Sequence, residues 1–285
     1  MMLHKKKSGS YRLLGDFRHI NKLVQRTNYP FPLFSDFVTA IGHSNCTVIS
    51  CIDIKEAYHC IPIHKDSTQY CGVTAYMGQP YGTLTYQRLV QGLHASPTVW
   101  MTLVNRILEN IPHRNSYFLY MDDIVAFSDE KTHWELLENL FKRLEDNGLK
   151  ISPSKAQLFQ IEATYMGTYL KIRDGRPCFQ PLRSRVEAIE HMQSPKSVKD
   201  VKRWLGMVNF LGRFIPQLQV RVADITNLTR KSVIFKWLPS HEKTYREINK
   251  YLTTQPILYA PSKTGERKLY SDGSFLGAGG SLWEC

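Results

Sequence analysis

The sequence lacks the features of a membrane or secreted protein. No uninterrupted apolar run approaches the length of about 20 residues that a membrane span requires, although 42% of the residues are hydrophobic. The basic start, residues 1–7, has no apolar region behind it, so we predict no signal peptide. The six cysteines form no Cys-x-x-Cys pair and show no zinc-ligand spacing with histidine. We therefore expect reduced thiols in an intracellular protein.

Acidic residues are scarce relative to basic ones. The 37 Lys and Arg residues outnumber the 25 Asp and Glu residues, which gives a formal charge of +12. A basic excess spread along the chain favours a polyanionic partner. Many basic proteins bind no nucleic acid, so charge alone leaves both alternatives open. The length of 285 residues allows two or more compact units.

Two adjacent carboxylates, Asp122 and Asp123, stand between apolar residues at 117–121 and 124–127. This pattern predicts a short β-hairpin whose turn carries the carboxylates. Like charges at such a place repel, and desolvation adds a cost, so a divalent cation is expected between them. Hard oxygen ligands in small number suit Mg²⁺ or Mn²⁺. Two exposed aspartates in an ordinary turn are the alternative, which the apolar context disfavours. The strand-like run 48–58 offers a further carboxylate, Asp53.

Asp53, the run 120–123 (Tyr-Met-Asp-Asp) and the pattern Asp-Phe-Arg-x-x-Asn at 16–21 together resemble a reverse transcriptase. The resemblance is closest to gypsy-type long-terminal-repeat retrotransposons and extends over nearly the whole chain. It implies an α+β fold: a right-hand polymerase with a ferredoxin-like palm, partial fingers and a helical thumb. It also implies an RNA-directed DNA polymerase from a Pol polyprotein.

The resemblance implies nucleic-acid partners and a cellular location. RNA and DNA templates, a primer and deoxynucleoside triphosphates would bind. The rest of the polyprotein, or a second copy in a dimer, is a further candidate partner. No membrane partner is expected, and the location would be cytoplasmic, in a virus-like particle.

The resemblance also divides the chain. The expected parts are fingers at 1–28 and 61–95, palm at 29–60 and 96–174, thumb at 175–230, tether at 231–266 and the start of a ribonuclease H domain at 267–285. The fingers are expected to be truncated, because the family has further strands before this point. Asp272 would be the first metal-binding carboxylate of the ribonuclease H domain. One carboxylate cannot hold two metals, so we expect no ribonuclease activity.

The resemblance implies catalytic roles for four residues. Asp53 and Asp122 would hold two Mg²⁺ ions, with Asp123 beside them. Adjacent residues in a strand point to opposite faces, so Asp122 and Asp123 are not expected to be equivalent ligands, and Asp122 is expected to be the closer one. Lys155 would protonate the departing pyrophosphate. A solvated loop lysine is the alternative for Lys155.

The resemblance implies substrate contacts as well. Arg12 would hold the incoming triphosphate, because its planar guanidinium donates to phosphate oxygens and stays charged. Tyr58 would be a steric gate that excludes a ribose 2′-hydroxyl, or else an ordinary core aromatic. Gln91 would contact the sugar and phosphates of the nucleotide. Met166 and Gly167 resemble the primer grip, which aims the primer 3′ end at the metals.

Several helix starts are predicted from capping residues. Ser96 is expected to cap a helix that has Pro97 at its first position. The expected starts from Ser or Thr followed by an acidic residue are Thr132-x-x-Glu135, Ser184-x-x-Glu187 and Ser197-x-x-Asp200. The basic helix after Ser197 resembles the thumb of gypsy-type elements.

Two other functions remain as alternatives. A non-catalytic nucleic-acid-binding remnant would keep the basic surface without activity, but the intact acidic and substrate-contacting residues disfavour it. A reverse transcriptase of the intron or telomerase kind is disfavoured by the tether and the ribonuclease H start.

Overall fold

The computed structural model describes residues 2–5, 9, 11–25, 28–74, 82–262, 265–274 and 277–284. The chain forms two compact units. The first consists of Met1–Ala40 and Val48–Phe159, and the second of Ile41–Thr47 and Gln160–Cys285. The finer division into fingers, palm, thumb, tether and ribonuclease H start stays a prediction.

Up to residue 160, the described residues form eight strands and three helices. The strands are β1 (Met2–Lys5), β2 (Tyr11–Leu14), β3 (Val48–Asp53), β4 (Gly72–Thr74), β5 (Thr83–Thr85), β6 (Tyr117–Tyr120), β7 (Asp123–Ser128) and β8 (Gln157–Gln160). The helices are α1 (Phe34–Gly42), α2 (Ser96–Ile107) and α3 (Glu130–Asp146). Short 3₁₀ helices cover Ile20–Lys22, Ala57–Cys60, Lys65–Cys71 and Arg114–Ser116.

The central sheet of the first unit has the strand order β6-β7-β3-β8. Strand β7 runs antiparallel to β3 and β6, and Asp123 at its start pairs with both Asp53 and Tyr120. Helices α2 and α3 share one core with this sheet. That core includes Ile52, Trp100, Val104, Leu119, Leu137 and Leu140. This packing fixes the end of the sheet at which the acidic residues meet.

Two smaller hairpins belong to the first unit. The sequence of residues 5–18 predicts a strand, a Ser-Gly-Ser turn and a second strand. Strands β1 and β2 are antiparallel, with His4 opposite Arg12. Polar and apolar residues alternate over 71–88, which predicts a meander of strands. Strands β4 and β5 are antiparallel there, with Val73 opposite Leu84, which confirms two of these strands. The middle of that meander, residues 75–81, lies outside the described residues.

The second unit contains six strands and five helices in its described part. The strands are β9 (Glu162–Tyr165), β10 (Thr168–Arg173), β11 (Arg176–Pro181), β12 (Leu258–Tyr259), β13 (Arg267–Ser274) and β14 (Gly277–Glu284). The helices are α4 (Arg183–Glu190), α5 (Val198–Phe210), α6 (Leu218–Arg221), α7 (Ala223–Asn227) and α8 (Pro239–Thr253). A 3₁₀ helix covers Gly212–Phe214.

The four-stranded sheet of the second unit has the order β12-β11-β10-β9, and β13 pairs separately with β14. Helices α5 and α8 meet at Trp204, which is fully buried. Its indole Nε1 donates to Asn249 Oδ1 at 3.0 Å, and its ring contacts Tyr245. A buried indole needs such an acceptor, so this pair fixes how the two helices face each other.

Two predicted helix caps are wrong. Helix α2 begins at Ser96 itself, and the Ser96 hydroxyl donates to the Val90 carbonyl at 2.6 Å. Ser96 therefore closes the loop before the helix instead of accepting from the helix N–H groups. Helix α4 begins at Arg183, so Ser184 lies inside its first turn. Glu187, the expected capping-box partner, forms an ion pair with Arg183 at 2.9 Å.

One further predicted cap is wrong and one is confirmed. The start of α3 is capped by Asp129, whose carboxylate accepts from the backbone N–H groups of Lys131 and Thr132. The Thr132 hydroxyl donates to that same carboxylate at 2.8 Å, so Thr132 supports the cap. At α5, Ser197 accepts from the backbone N–H of Asp200, as predicted.

Within the described ranges, none of the helices has both the length and the apolar character that a membrane crossing requires.

Candidate active site

The predicted hairpin is present, and its turn is held on both sides. Tyr120 and Asp123 pair, which leaves Met121 and Asp122 as a two-residue loop. Met121 has a φ of 59°, the left-handed conformation that tight hairpin turns favour. The Trp100 indole donates to the Met121 carbonyl at 2.7 Å, and the Ile54 N–H donates to the Asp122 carbonyl at 2.8 Å. The Asp122 backbone is thereby anchored both to α2 and to the end of β3.

Asp53 and Asp122 line one cleft of about 470 Å³. Asp53 ends β3 directly opposite Asp123 on β7. In the described part of the chain, the residues lining the cleft do not include Asp123. Glu56 adds a carboxylate to the lining that the sequence did not lead us to assign. The cleft therefore receives carboxylates from the end of β3, from the residue before the 3₁₀ helix Ala57–Cys60 and from the β6–β7 turn.

The three aspartates interact electrostatically. The pKa of Asp123 is raised to about 6, first by desolvation and then by the charges of Asp122 and Asp53, and Lys155 partly opposes this rise. Although Asp123 is an exposed residue, desolvation is the largest cause of this rise in its pKa. Mutual repulsion of this kind is relieved when a cation neutralises the cluster.

Asp53 is paired with a lysine that sequence analysis placed near the site. Lys155 Nζ lies 2.7 Å from Asp53 Oδ1 and 2.9 Å from Oδ2. The Ser152 hydroxyl donates to Asp53 Oδ2 at 2.7 Å, and the Ser152 N–H donates to the Asp53 carbonyl at 2.9 Å. Sequence reasoning missed Ser152. The only signal was its place three residues before Lys155, which gives no indication of a contact about a hundred residues away.

The position of Tyr58 is compatible with both roles considered from the sequence, a steric gate and a core aromatic. Its ring lines the cleft and is half-buried. On its other side the ring makes an edge-on contact with Trp100 at 6.5 Å and packs against the core. The pKa of Tyr58 is raised by burial and by the charge of Asp122. The ring is thus supported by the core and presented to the cleft.

Gln91 also lines the cleft, from the turn that precedes α2. The next residue, Gly92, has a φ of +102°, a backbone conformation that L side chains rarely adopt. Five predicted site residues therefore share the cleft. They are Asp53, Tyr58, Gln91, Asp122 and Lys155.

Besides Asp123, four predicted site residues are not assigned to this cleft. Arg12 lies in β2, but its side chain lies outside what the structure describes. Met166 and Gly167 belong to the second unit, where they form the turn between β9 and β10 with φ values of 46° and 71°. Asp272 lies in β13, and its side chain is likewise not described.

The donor set suits a hard divalent ion, although it is small. Among the described residues, no group of three or more His, Cys, Asp or Glu side chains is arranged to hold a metal. Asp53 and Asp122 nevertheless present carboxylate oxygens to one cleft, and Asp53 already attracts the Lys155 ammonium. Mg²⁺ is commonly held by one or two carboxylates, with water and substrate phosphate completing its shell. The residues present fit such an ion.

Comparison with known proteins gives the family. The profile described as reverse transcriptase (RNA-dependent DNA polymerase) matches residues 3–170. The Transposon Tf2-3 polyprotein of Schizosaccharomyces pombe is 26% identical over 283 residues, which cover 99% of this chain and 20% of that polyprotein. The chain thus spans about a fifth of the length of the curated relatives it matches.

Solved structures show the same fold. A foamy viral protease-reverse transcriptase in complex with double-stranded DNA has a TM-score of 0.79 and 25% identity, over 95% of this chain and 46% of that one. A foamy viral protease-reverse transcriptase in complex with an RNA/DNA hybrid has a TM-score of 0.74 and 22% identity, over 99% of this chain and 39% of that one. The chain therefore has a reverse transcriptase polymerase fold of mixed helices and sheets, and it belongs to the reverse transcriptase (RNA-dependent DNA polymerase) family.

Proposed function

We propose that this chain is the polymerase part of a retrotransposon Pol polyprotein, of the gypsy type, and that it extends a primer with deoxynucleotides on an RNA or DNA template. The observation that carries the proposal is the shared cleft, in which Asp53 and Asp122 face Tyr58, Gln91 and Lys155. The structural relatives bound to double-stranded DNA and to an RNA/DNA hybrid support a nucleic-acid partner.

Under this proposal the first unit supplies most of the palm and fingers, and the second unit supplies the thumb, the tether and the start of a ribonuclease H domain. The central sheet with α2 and α3 would be the ferredoxin-like palm. The proposed location is the cytoplasm, within a virus-like particle. The excess of Lys and Arg suits this role, because a duplex must be held by its phosphates.

In the proposed reaction, Asp53 and Asp122 would hold two Mg²⁺ ions, with Asp123 beside them. When bound, these ions supply the charge that activates the primer 3′-hydroxyl and stabilises the leaving pyrophosphate. Tyr58 closes the cleft on the side of the sugar, and Gln91 orients the nucleotide. Lys155 Nζ holds a proton at the cleft, where it can be given to the departing pyrophosphate.

Primer extension tests this proposal. The chain is incubated with Mg²⁺, deoxynucleotides and a primed homopolymer RNA. Asp122→Asn should reduce extension by several orders of magnitude, because a metal ligand is lost where charge develops. Asp146→Asn, an exposed change at the end of α3, is the matched control and should extend normally. Near-normal extension by Asp122→Asn would overturn the assignment of the cleft.

Duplex binding separates this function from that of a non-catalytic binder. Affinity for the primer–template should fall steeply with salt, because each neutralised phosphate releases counterions. Asp122→Asn should leave that salt dependence unchanged, since Asp122 is proposed to bind a metal ion and not the phosphates of the duplex. A wild-type chain that binds duplex but never extends a primer would favour the non-catalytic alternative.

A further inference from the structure

The turn that carries Gln91 is held by a side chain from a distant part of the sequence. The Asn21 amide Nδ2 donates to the Gly92 carbonyl at 2.8 Å, and Asn21 Oδ1 accepts from the His94 N–H at 2.9 Å. A carbonyl only accepts and an N–H only donates, so the two contacts fix the orientation of the amide. One side chain therefore restrains the backbone at two points after Gln91.

Asn21 is itself held by the segment that contains it. Its backbone N–H donates to the Phe17 carbonyl at 2.8 Å. The Phe17 ring is buried in a small core with Val90, the residue immediately before Gln91. A Cβ placed on Gly92 would lie 3.4 Å from the Phe17 ring, so the turn and the ring are in close contact. The segment 16–21 thus restrains the Gln91 turn on both sides.

This arrangement matters because Gln91 stands in an irregular stretch of backbone. A turn that is free to move would have to be ordered each time a ligand binds, and that ordering weakens binding. Side chains that lock the supporting backbone in advance remove this cost. Asn21 has the chemistry for such a role, because it can give and accept a hydrogen bond at once.

We propose that Asn21 is a positioning residue for nucleotide binding, acting through Gln91. It holds the turn 91–94 so that the Gln91 side chain meets the incoming deoxynucleoside triphosphate in the cleft. This inference rests on the proposed function of the cleft.

A double-mutant cycle tests the inference. Asn21→Ala should raise the KM for the deoxynucleotide about tenfold, the loss expected for roughly one to two hydrogen bonds, with kcat changed much less. In a Gln91→Ala background, the same change should alter KM by less than about twofold, because the residue through which it acts is gone. The affinity for the primer–template should stay unchanged in each variant.

Two further variants separate positioning from packing. Asn21→Asp has the same size and keeps the acceptor for His94, but it turns a carboxylate oxygen toward the Gly92 carbonyl. It should raise KM, whereas a pure packing role predicts wild-type values. Asn139→Ala is the matched control, because that amide also donates to a backbone carbonyl, at 2.9 Å, on the surface of α3. It should leave KM unchanged.

Amide hydrogen exchange gives a readout that needs no catalysis. Asn21→Ala should speed exchange in the segment 91–95, and Asn139→Ala should not. Additive effects of Asn21→Ala and Gln91→Ala on KM, or unchanged exchange in 91–95, would overturn the inference. If the wild-type chain fails to extend primers while Asn21→Ala still speeds exchange, the contact stands and the proposed function of the cleft fails.

Discussion

Lys155 and Asp53 form an ion pair in which one ammonium contacts both oxygens of the carboxylate, at 2.7 and 2.9 Å. Asp53 is also a proposed metal ligand, so the ammonium and a divalent cation need the same oxygens. The pair lies on the wall of an open cleft, and the Lys155 side chain is 65% exposed. The Asp53 side chain is 19% exposed, so the pair is not a fully exposed one, but the exposed Lys155 ammonium can leave when a divalent cation neutralises the Asp53 carboxylate.

Removing Lys155 should therefore strengthen cation binding. We expect Lys155→Ala to bind Mn²⁺ several-fold more tightly than wild type, because no ammonium competes for Asp53. Primer extension should fall in the same variant. Mn²⁺ affinity is measured from the electron paramagnetic resonance signal of the free ion, without nucleotide. Lys150→Ala, an exposed lysine in the same segment, is the control and should bind as wild type does. Unchanged affinity in Lys155→Ala would show that the ion pair does not limit metal binding.

Tyr58 is the residue at which a gate and a core aromatic make opposite predictions. If the ring excludes a 2′-hydroxyl, Tyr58→Val should raise ribonucleotide incorporation relative to deoxynucleotide incorporation. The variant should also lose about 2 kcal/mol of stability, because a half-buried ring is truncated. The measurement is the ratio of kcat/KM values for the two sugars, with a thermal melt of each protein. Tyr117→Val, a buried tyrosine on β6, should lose stability without changing that ratio. A constant ratio in Tyr58→Val would leave the ring with a packing role only.

His133 joins three elements of the first unit through one chain of hydrogen bonds. Ser128 Oγ donates to the Asp129 carbonyl, so it accepts from His133 Nδ1 at 2.9 Å. The Phe159 N–H donates to Ser50 Oγ at 3.0 Å, and the Ser50 hydroxyl lies 2.7 Å from His133 Nε2. The Nε2 atom accepts in this arrangement, which requires a neutral ring. Burial lowers the pKa of His133 to about 4, with the charge of Asp129 opposing the shift.

This histidine should make the fold sensitive to acid. Below pH 6.5 the unfolded chain protonates His133 while the folded chain does not, until the pH reaches about 4. Stability is therefore lost as the pH falls through this window. Between pH 7 and pH 4.5, the protonation of His133 in the unfolded chain should lower the free energy of unfolding by about 2.5 kcal/mol. Urea unfolding at pH 7 and pH 4.5 should show a smaller loss of stability for His133→Gln than for wild type. The exposed change His19→Gln should preserve the full loss, and an equal loss in His133→Gln would contradict the assignment.

The sequence predicted those local structures that depend on interactions between residues close together in the chain. The hairpin at 117–127 and the Ser197 cap were predicted correctly, because each depends on residues a few positions apart. The caps at Ser96 and Thr132 were wrong because a stronger partner was available. Val90 offers a carbonyl to the Ser96 hydroxyl, and the Asp129 carboxylate accepts better than a threonine hydroxyl does.

The contacts that sequence reasoning missed all depend on the tertiary fold. Ser152 contacts Asp53, which lies 99 positions away in the chain. Asn21 contacts Gly92 in the Gln91 turn, 71 positions away. A serine in a loop, or an asparagine in a short 3₁₀ helix, can form many local hydrogen bonds, and the neighbouring residues in the sequence do not show which of them forms. Only the packing of β3 against the 150–155 segment, and of Phe17 against Val90, brings these side chains to their partners.

Gly167 is required for two separate physical reasons, which substitutions can distinguish. Its φ of +71° strains any L side chain, and an added Cβ would lie 2.7 Å from Cζ of Phe210. The Phe210 ring is 37% exposed, and the Arg185 guanidinium lies over it at 4.1 Å, so a ring that moves aside for the added Cβ would disturb this contact. Gly175, with a φ of +74°, shares the backbone strain, but an added Cβ there meets open space among the described residues.

We expect Gly175→Ala to cost about 1 kcal/mol, the strain of a left-handed backbone alone, and Gly167→Ala to cost about 2–3 kcal/mol because the collision is added. In a Phe210→Ala background, Gly167→Ala should cost about as much as Gly175→Ala, since only the strain remains. Urea unfolding of the single and double variants measures each difference. If Gly167→Ala lowered the free energy of unfolding equally with and without the Phe210 ring, the close contact between α5 and the β9–β10 turn would not contribute to the effect of the substitution. The turn proposed to grip the primer would then be shaped by its backbone alone.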